Sequence, residues 1–198
     1  MITIGLIGGT GAGKSEVARL LAARGAALYD VDRLAQETYA PGGAGYEAVV
    51  RAFPEALTAG AIDRRGLGTI VFGDASAMRR LTDIVWPLTR ARMAALKQEE
   101  QTKGTAVLVF DVAVLIEAGW RDLVDLVWFV RASEPVRRER LRRRGLDDPT
   151  IDRRFEAQGD RDALAAQASR IIENEGTLAD LAQAIDEAWE ATFPQRSV

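Results

Sequence analysis

The stretch Gly8-Gly9-Thr10-Gly11-Ala12-Gly13-Lys14-Ser15 decides the fold, because it fits G-x-x-x-x-G-K-[ST] without a mismatch and stands in the right context. Before it, Met1 to Ile7 is apolar and β-branched; after it, Ser15 to Arg24 carries helix formers with apolar Val17, Leu20 and Leu21. Strand, glycine loop and helix in that order predict a phosphate-binding loop and a bound nucleoside triphosphate. A side chain at Gly8 or Gly13 would obstruct the backbone as it wraps its N–H groups around the phosphates. Lys14 reaches the β- and γ-phosphates, and Ser15 opens the helix with a hydroxyl suited to Mg²⁺. The expected nucleotide contacts are therefore Gly8, Gly9, Thr10, Gly11, Ala12, Gly13, Lys14 and Ser15, with Ser15 also the metal ligand. A glycine-rich turn with a chance Lys-Ser is the bland alternative, and the flanking strand and helix weigh against it.

Outward from the loop, five stretches read as buried strands: Ile2 to Ile7, Ala26 to Tyr29, Ala106 to Phe110, Leu126 to Val130 and Arg170 to Ile172. Each precedes a helical pattern, which predicts an α/β fold with a mainly parallel five-stranded sheet covered on both faces. Between the second and third strands no further strand is expected. That insertion holds helical segments near Asp32 to Tyr39, Gly45 to Ala52, Arg64 to Phe72, Ser76 to Val85 and Pro87 to Gln101, broken at Pro41-Gly42-Gly43, Phe53-Pro54, Ala59-Gly60 and Gly73-Asp74. A second excursion, Glu134 to Ala168, is interrupted near Gly145 to Pro149. The predicted organisation is one domain over 1–198, with a helical acceptor-binding insertion at 32–103 and a lid at 134–168. Only the last few residues read as frayed.

With 198 residues, 47% of them hydrophobic, the chain can bury a real core. It has no cysteine and no histidine, so thiolate metal sites, disulfides and imidazole bases are excluded and acid–base work falls to carboxylates. The net charge of −3 argues against general nucleic-acid binding. No apolar run reaches membrane-span length and no export signal precedes the first strand, so no membrane partner and a cytoplasmic location are expected. The oligomeric state is left open. Charge is uneven, however: Arg131, Arg137, Arg138, Arg140, Arg142, Arg143 and Arg144 face only Glu134 and Glu139 between residues 131 and 144. Such a run is a solvated face, a nucleic-acid patch or, beside a phosphate loop, a lid that neutralises transferring phosphates.

Two sets of carboxylates come after strand ends, where ligands bind in open α/β sheets. Asp30 and Asp32 come after the second strand and would point the same way if the strand continued. Asp32 is the candidate to accept a proton from an acceptor hydroxyl, or else a helix N-cap. Asp111 ends the third strand as a Mg²⁺-associated carboxylate or a structural cap, and Glu117 lies six residues on. Trp120 and Trp128 read as core residues.

With these residues in hand the chain resembles the dephospho-CoA kinases, which phosphorylate the ribose 3′-hydroxyl of dephospho-CoA in the last step of coenzyme A biosynthesis. The likeness runs from residue 2 to about 190. Gly5 to Ser15 looks like the family's opening and Asp30-Val31-Asp32 like its D-x-D, whose second acid is the catalytic carboxylate. Ala61-Ile62-Asp63-Arg64-Arg65-Gly66-Leu67 with Val71-Phe72 is similar to the family's I-D-R-x-x-L and V-F segment. Asp111 to Glu117 resembles D-x-P-L-L-F-E, and Arg140 and Arg144 fall where lid arginines are expected. Arg154 to Gln158 and Ile171 to Gly176 resemble the lid-return and adenine-side segments, which adds Asn174 to the nucleotide contacts. The resemblance implies ATP and dephospho-CoA as substrates, Mg²⁺ as cofactor, and Asp32, Lys14, Arg140 and Arg144 as catalytic residues. Departures are Trp86-Pro87 for the usual His-Pro, Ala113 and Val114 for Pro-Leu, and Ser169 for an acid. Two rival readings remain: a kinase of the same architecture acting on a nucleoside monophosphate or a sugar-like alcohol, or an ATP-binding interaction protein without transfer.

Overall fold

The computed structural model describes residues 1–159 and 162–193. Its elements run β1 (Ile2–Gly8), α1 (Lys14–Ala23), β2 (Ala27–Asp30), α2 (Val31–Thr38), α3 (Tyr46–Ala52), β3 (Leu57–Thr58), β4 (Ala61–Ile62), α4 (Arg64–Gly73), α5 (Ala75–Thr102), β5 (Val107–Asp111), β6 (Leu126–Arg131), α6 (Glu134–Arg143), α7 (Asp148–Gln158), β7 (Arg170–Glu173) and α8 (Leu178–Thr192). The expected frayed C-terminus and residues 160 and 161 of the expected lid lie outside the described residues. The chain forms two compact units, Met1–Tyr29 with Glu100–Val198, and Asp30–Glu99.

The first unit is built on a five-stranded sheet in the order β2-β5-β1-β6-β7. β1 pairs in parallel with β5 on one side and β6 on the other, and β6 pairs in parallel with β7. The inner strands carry apolar residues on both faces. Ile4, Leu6, Val107, Val109, Trp128 and Val130 pack with Val17 and Leu21 of α1 and Leu181 and Ile185 of α8. Leu108, Phe110, Val127 and Phe129, on the opposite face, are equally buried. Such strands read as continuous apolar runs, which is why they stand out in the sequence. Trp120 and Trp128 are core residues as expected. β2 lies at the sheet edge and alternates between half-buried and exposed, so the expectation that it is buried is corrected.

The second unit has its own core, in which Val49, Phe53, Ala56, Ile62, Leu67, Val71, Ala77 and Val85 pack together. Two expectations are corrected here. The insertion does contain strands: β3 and β4 form an antiparallel hairpin, Leu57 opposite Ile62 and Thr58 opposite Ala61. Ala59 and Gly60 between them both have positive φ, 49° and 77°, the geometry of the tight turn that matches strand twist. The Tyr46 hydroxyl donates to the Gly60 carbonyl at 2.6 Å and fixes that turn. Also, the segments expected as Ser76 to Val85 and Pro87 to Gln101 are one 28-residue helix with Pro87 inside. The proline has no N–H to give the Asp83 carbonyl, and residues 83 and 87 both lie on the exposed side of the helix, where such a loss is best tolerated.

Candidate active site

All the strand ends that frame the loop lie at one rim, because the strands are parallel. Gly8 ends β1, Asp111 ends β5, Arg131 ends β6 and Glu173 ends β7. That rim is where an open α/β sheet binds its ligand.

The loop leaves β1 at Gly8 and enters α1 at Lys14. A Cβ at Gly8 would stand 2.8 Å from the Val130 carbonyl oxygen, so β6 itself forbids a side chain there. Gly13 has φ +94°, and a Cβ there would also collide with the Asn174 amide. Lys14 is ion-paired with Asp111, both side chains being largely buried. The Asp111 carboxylate therefore fixes the ammonium at the loop's end, a contact that neither role expected of it includes. Ser15 is exposed in the first turn of α1, and its hydroxyl has no protein partner among the described residues.

From outside, the loop is gripped through its carbonyls. The Asn174 side chain, 5% exposed, donates from Nδ2 to the Ala12 carbonyl at 2.7 Å. Arg140 donates to the same carbonyl at 3.3 Å and to Asn174 Oδ1 at 3.1 Å. Asn174 is placed by its own backbone N–H on the Arg131 carbonyl, 2.8 Å away. Arg137 donates from Nε to the Thr10 carbonyl at 2.9 Å, with its guanidinium 4.3 Å from the Phe155 ring centroid. The Thr10 N–H in turn donates to Gln158 Oε1 at 2.8 Å. Thr10 is therefore held at both of its peptide units by α6 and α7.

These two helices are laced together by charge. Arg138 pairs with Glu134 and Asp152, each at 2.7 Å, and those carboxylates, Glu134 first, raise its pKa further. Arg142 pairs with Asp148 at 2.8 Å, and Arg143 with Glu139 at 2.8 Å. The break between the helices uses Gly145 at φ +85° and Asp147 as N-cap, accepting from Thr150 N–H at 3.1 Å. The Thr150 hydroxyl and N–H hold the Asp147 carboxyl below the usual range. Glu175 accepts from the N–H and hydroxyl of Ser133 and so occupies the N-terminus of α6, which lacks a side-chain cap of its own. Of the seven arginines in the run, only Arg144 has no side-chain partner among the described residues; it is exposed at the end of α6.

In the second unit, Asp30 and not Asp32 is the N-cap of α2, accepting from Arg33 N–H at 3.1 Å. The helix begins at Val31, so strand alternation stops before it could align the two acids. Asp32 is exposed in the first turn. Trp86 is half-buried on α5.

The structure brings Lys14, Arg140 and Asn174 together around the loop. Sequence reasoning missed Arg137 and Gln158 as loop partners and Asp111 as the partner of Lys14. Arg137 was visible within the arginine run and Gln158 within Arg154 to Gln158, but neither pattern carries the tertiary contact.

The sequence profile of dephospho-CoA kinases matches residues 2–180. A dephospho-CoA kinase of Geobacter sulfurreducens is 40% identical over 197 residues, covering 98% of this chain and 100% of the relative. One from Streptomyces avermitilis is 42% identical over 192 residues, covering 96% and 93%. A crystal structure of a Thermus thermophilus protein superposes with a TM-score of 0.81 at 30% identity, covering 100% of this chain and 98% of that one. A strand-loop-helix phosphate site carried on a parallel sheet and matched over nearly its whole length to these proteins leaves one family: the chain belongs to the dephospho-CoA kinases, enzymes of the final step of coenzyme A biosynthesis.

Proposed function

We propose that this kinase transfers the γ-phosphoryl group of ATP to the ribose 3′-hydroxyl of dephospho-CoA, with the work divided among its loop, its lysine, one carboxylate and the arginines of α6. With the Thr10 and Ala12 carbonyls engaged by Arg137, Arg140 and Asn174, the loop offers the phosphates its remaining N–H groups, those of Thr10 and Ala12 being taken by Gln158 and the Gly9 carbonyl. Lys14, held by Asp111, sets a compact positive charge at the β- and γ-phosphates. Asp32 accepts the proton of the attacking hydroxyl. Arg140 on α6 and Arg144, the residue that caps its C-terminus, offset charge growing on the transferring group, a task suited to permanently charged planar donors. Asn174 acts on the nucleotide through the loop and Arg140. The stretch 134–168 is the lid and the unit at Asp30–Glu99 binds the acceptor.

One protein donor suits Mg²⁺, which takes its other ligands from phosphates and water: the exposed Ser15 hydroxyl is a hard oxygen at a helix start, with no protein group competing for it among the described residues. When bound, the ion neutralises phosphate charge in the transition state. Use of ATP supports a cytoplasmic location. The acidic partners of Arg131, Arg138, Arg142 and Arg143 argue for a solvated, internally paired helix surface and against a polynucleotide site. Family membership disfavours both rivals. A monophosphate acceptor would need an arginine clamp in the insertion, and of its candidates Arg64, Arg79, Arg80, Arg90 and Arg92 three are engaged with protein groups: Arg64 with Gln36, Arg80 over Phe53 and Arg92 with Glu99.

The observation that carries this reading is the gripped loop with its Lys14–Asp111 pair in a chain that matches the family over residues 2–180. A coupled ADP-release assay with MgATP tests it, comparing dephospho-CoA, adenosine monophosphate and no acceptor, with mass analysis of the product. A product heavier by one phosphoryl group is expected with dephospho-CoA alone. Turnover with adenosine monophosphate, or none with any acceptor, would overturn the assignment.

A further inference from the structure

A buried carboxylate stands outside the loop and its partners. Glu100, 5% exposed, is the first residue of the chain after the Asp30–Glu99 unit. Burying a charge is unfavourable unless its oxygens are satisfied, and these are. Oε1 accepts from Lys103 at 2.6 Å and from the Tyr29 hydroxyl at 2.8 Å, and Oε2 accepts from the Thr105 hydroxyl at 2.5 Å. The Glu100 carbonyl also accepts from Thr105 N–H at 3.1 Å. Lys103 and Thr105 lie three and five residues away and suffice to settle the carboxylate locally. Tyr29 comes from 71 residues away, and it is the last residue before the Asp30–Glu99 unit begins. One hydrogen bond therefore joins the two points where the chain enters and leaves that unit.

The residues on either side of Tyr29 give the bond its meaning. β2 is a four-residue edge strand beside β5, and Tyr29 leans on Phe110 of β5 with ring centroids 6.3 Å apart. The next residue, Asp30, caps α2, and Asp32 stands in the first turn of that helix. The Tyr29 hydroxyl anchors the strand end and the Asp30 carboxylate anchors the helix start. Both anchors lie within about one helix turn of Asp32 along the chain.

We infer that Tyr29 and Glu100 are positioning residues for Asp32: their hydrogen bond fixes the point at which the chain leaves β2 and so sets where the first turn of α2 delivers its carboxylate. The inference rests on the proposed role of Asp32 as general base. Phosphoryl transfer is sensitive to such placement, since an error of about 1 Å in a catalytic group lowers rate by about a hundredfold.

The test uses the full chain with Tyr29→Phe, Glu100→Gln, Glu100→Ala, Asp32→Asn and the Tyr29→Phe/Asp32→Asn pair, reading kcat and KM for both substrates. Tyr29→Phe keeps the ring and its packing, and is expected to lower kcat about tenfold while KM for ATP stays within about twofold. Glu100→Gln keeps an acceptor for the Tyr29 hydroxyl and should retain most of the turnover that Glu100→Ala loses. In the Asp32→Asn background, Tyr29→Phe should cause no further loss, because a residue that acts through another has nothing left to act on. Wild-type turnover for Tyr29→Phe, or an equal fold-loss in both backgrounds, overturns the clasp while leaving Asp32 in place. Wild-type turnover for Asp32→Asn alone overturns the general-base role, and the clasp with it.

Discussion

The loop at Gly8–Ser15 and the segment Asp30–Asp32 both come at the ends of strands of the parallel sheet, yet they are held in opposite ways. The loop is gripped by side chains from distant parts of the chain: Asp111, Arg137, Arg140, Gln158 and Asn174, on β5, α6, α7 and the end of β7. In the acidic segment Asp30 caps its own helix by accepting from an N–H three residues on, and the neighbouring Tyr29 is tied by its hydroxyl to Glu100. A loop that binds a highly charged, invariant group gains from redundancy, because every donor must be aimed before the ligand arrives. Asp32, the proposed base, stands in the first turn of a helix whose start is set by that local cap, so a change at the cap bears on it directly.

Substitutions at four positions probe that contrast. Lys14→Ala should have the largest effect, lowering kcat at least about a thousandfold if its charge acts at the transferring phosphoryl as proposed; steady-state kinetics at saturating ATP measures it, and a loss under about tenfold would separate Lys14 from the chemistry. Asn174→Ala should destabilise the protein by about 1–3 kcal/mol, because the buried Ala12 carbonyl and Arg140 both lose a partner. Its denaturant midpoint should fall and ATP binding weaken together; a change in stability alone would show the grip to be redundant even at its centre. Asp30→Ala should cost about 1 kcal/mol through the lost cap, with Asp30→Ser nearly restoring it. There ATP binding, measured by calorimetry, should stay as in the wild type, whereas acceptor-dependent turnover falls.

The fourth effect is on pH dependence. Hydrogen bonds from Lys103, Thr105 and Tyr29 hold the Glu100 carboxyl down from its ordinary 4.5 to about 2. A lowered folded-state pKa means the unfolded chain binds the proton more readily, so this stabilisation is complete above 4.5 and lost as pH falls towards 2. Unfolding free energies measured across that window should drop in the wild type and drop less steeply in Glu100→Gln. Parallel slopes would show that the buried carboxylate does not couple protonation to folding.

The same contrast governs how much was legible in the sequence. The inner strands were readable to within a residue or two because they are apolar on both faces, as Val107 to Phe110 and Val127 to Val130 are. The hairpin Leu57–Ile62 was not, since two residues per strand are too few for a period-two signal and Ala59 does not announce a positive φ. Pro87 misled because a proline on the exposed face of a long helix forfeits a bond that solvent can replace. The loop itself was legible as a local pattern. Its grip was not, because Gln158 on Thr10 and Asn174 on Ala12 join residues 148 and 162 positions apart, and only the folded sheet brings them together.

The most direct test of the central claim is to supply ATP labelled at the γ-phosphate together with dephospho-CoA and locate the label in the product. The account predicts label on the ribose 3′-oxygen, in an amount matching the ADP formed and absent with Lys14→Ala. Label released as inorganic phosphate, or found on another hydroxyl, would contradict it.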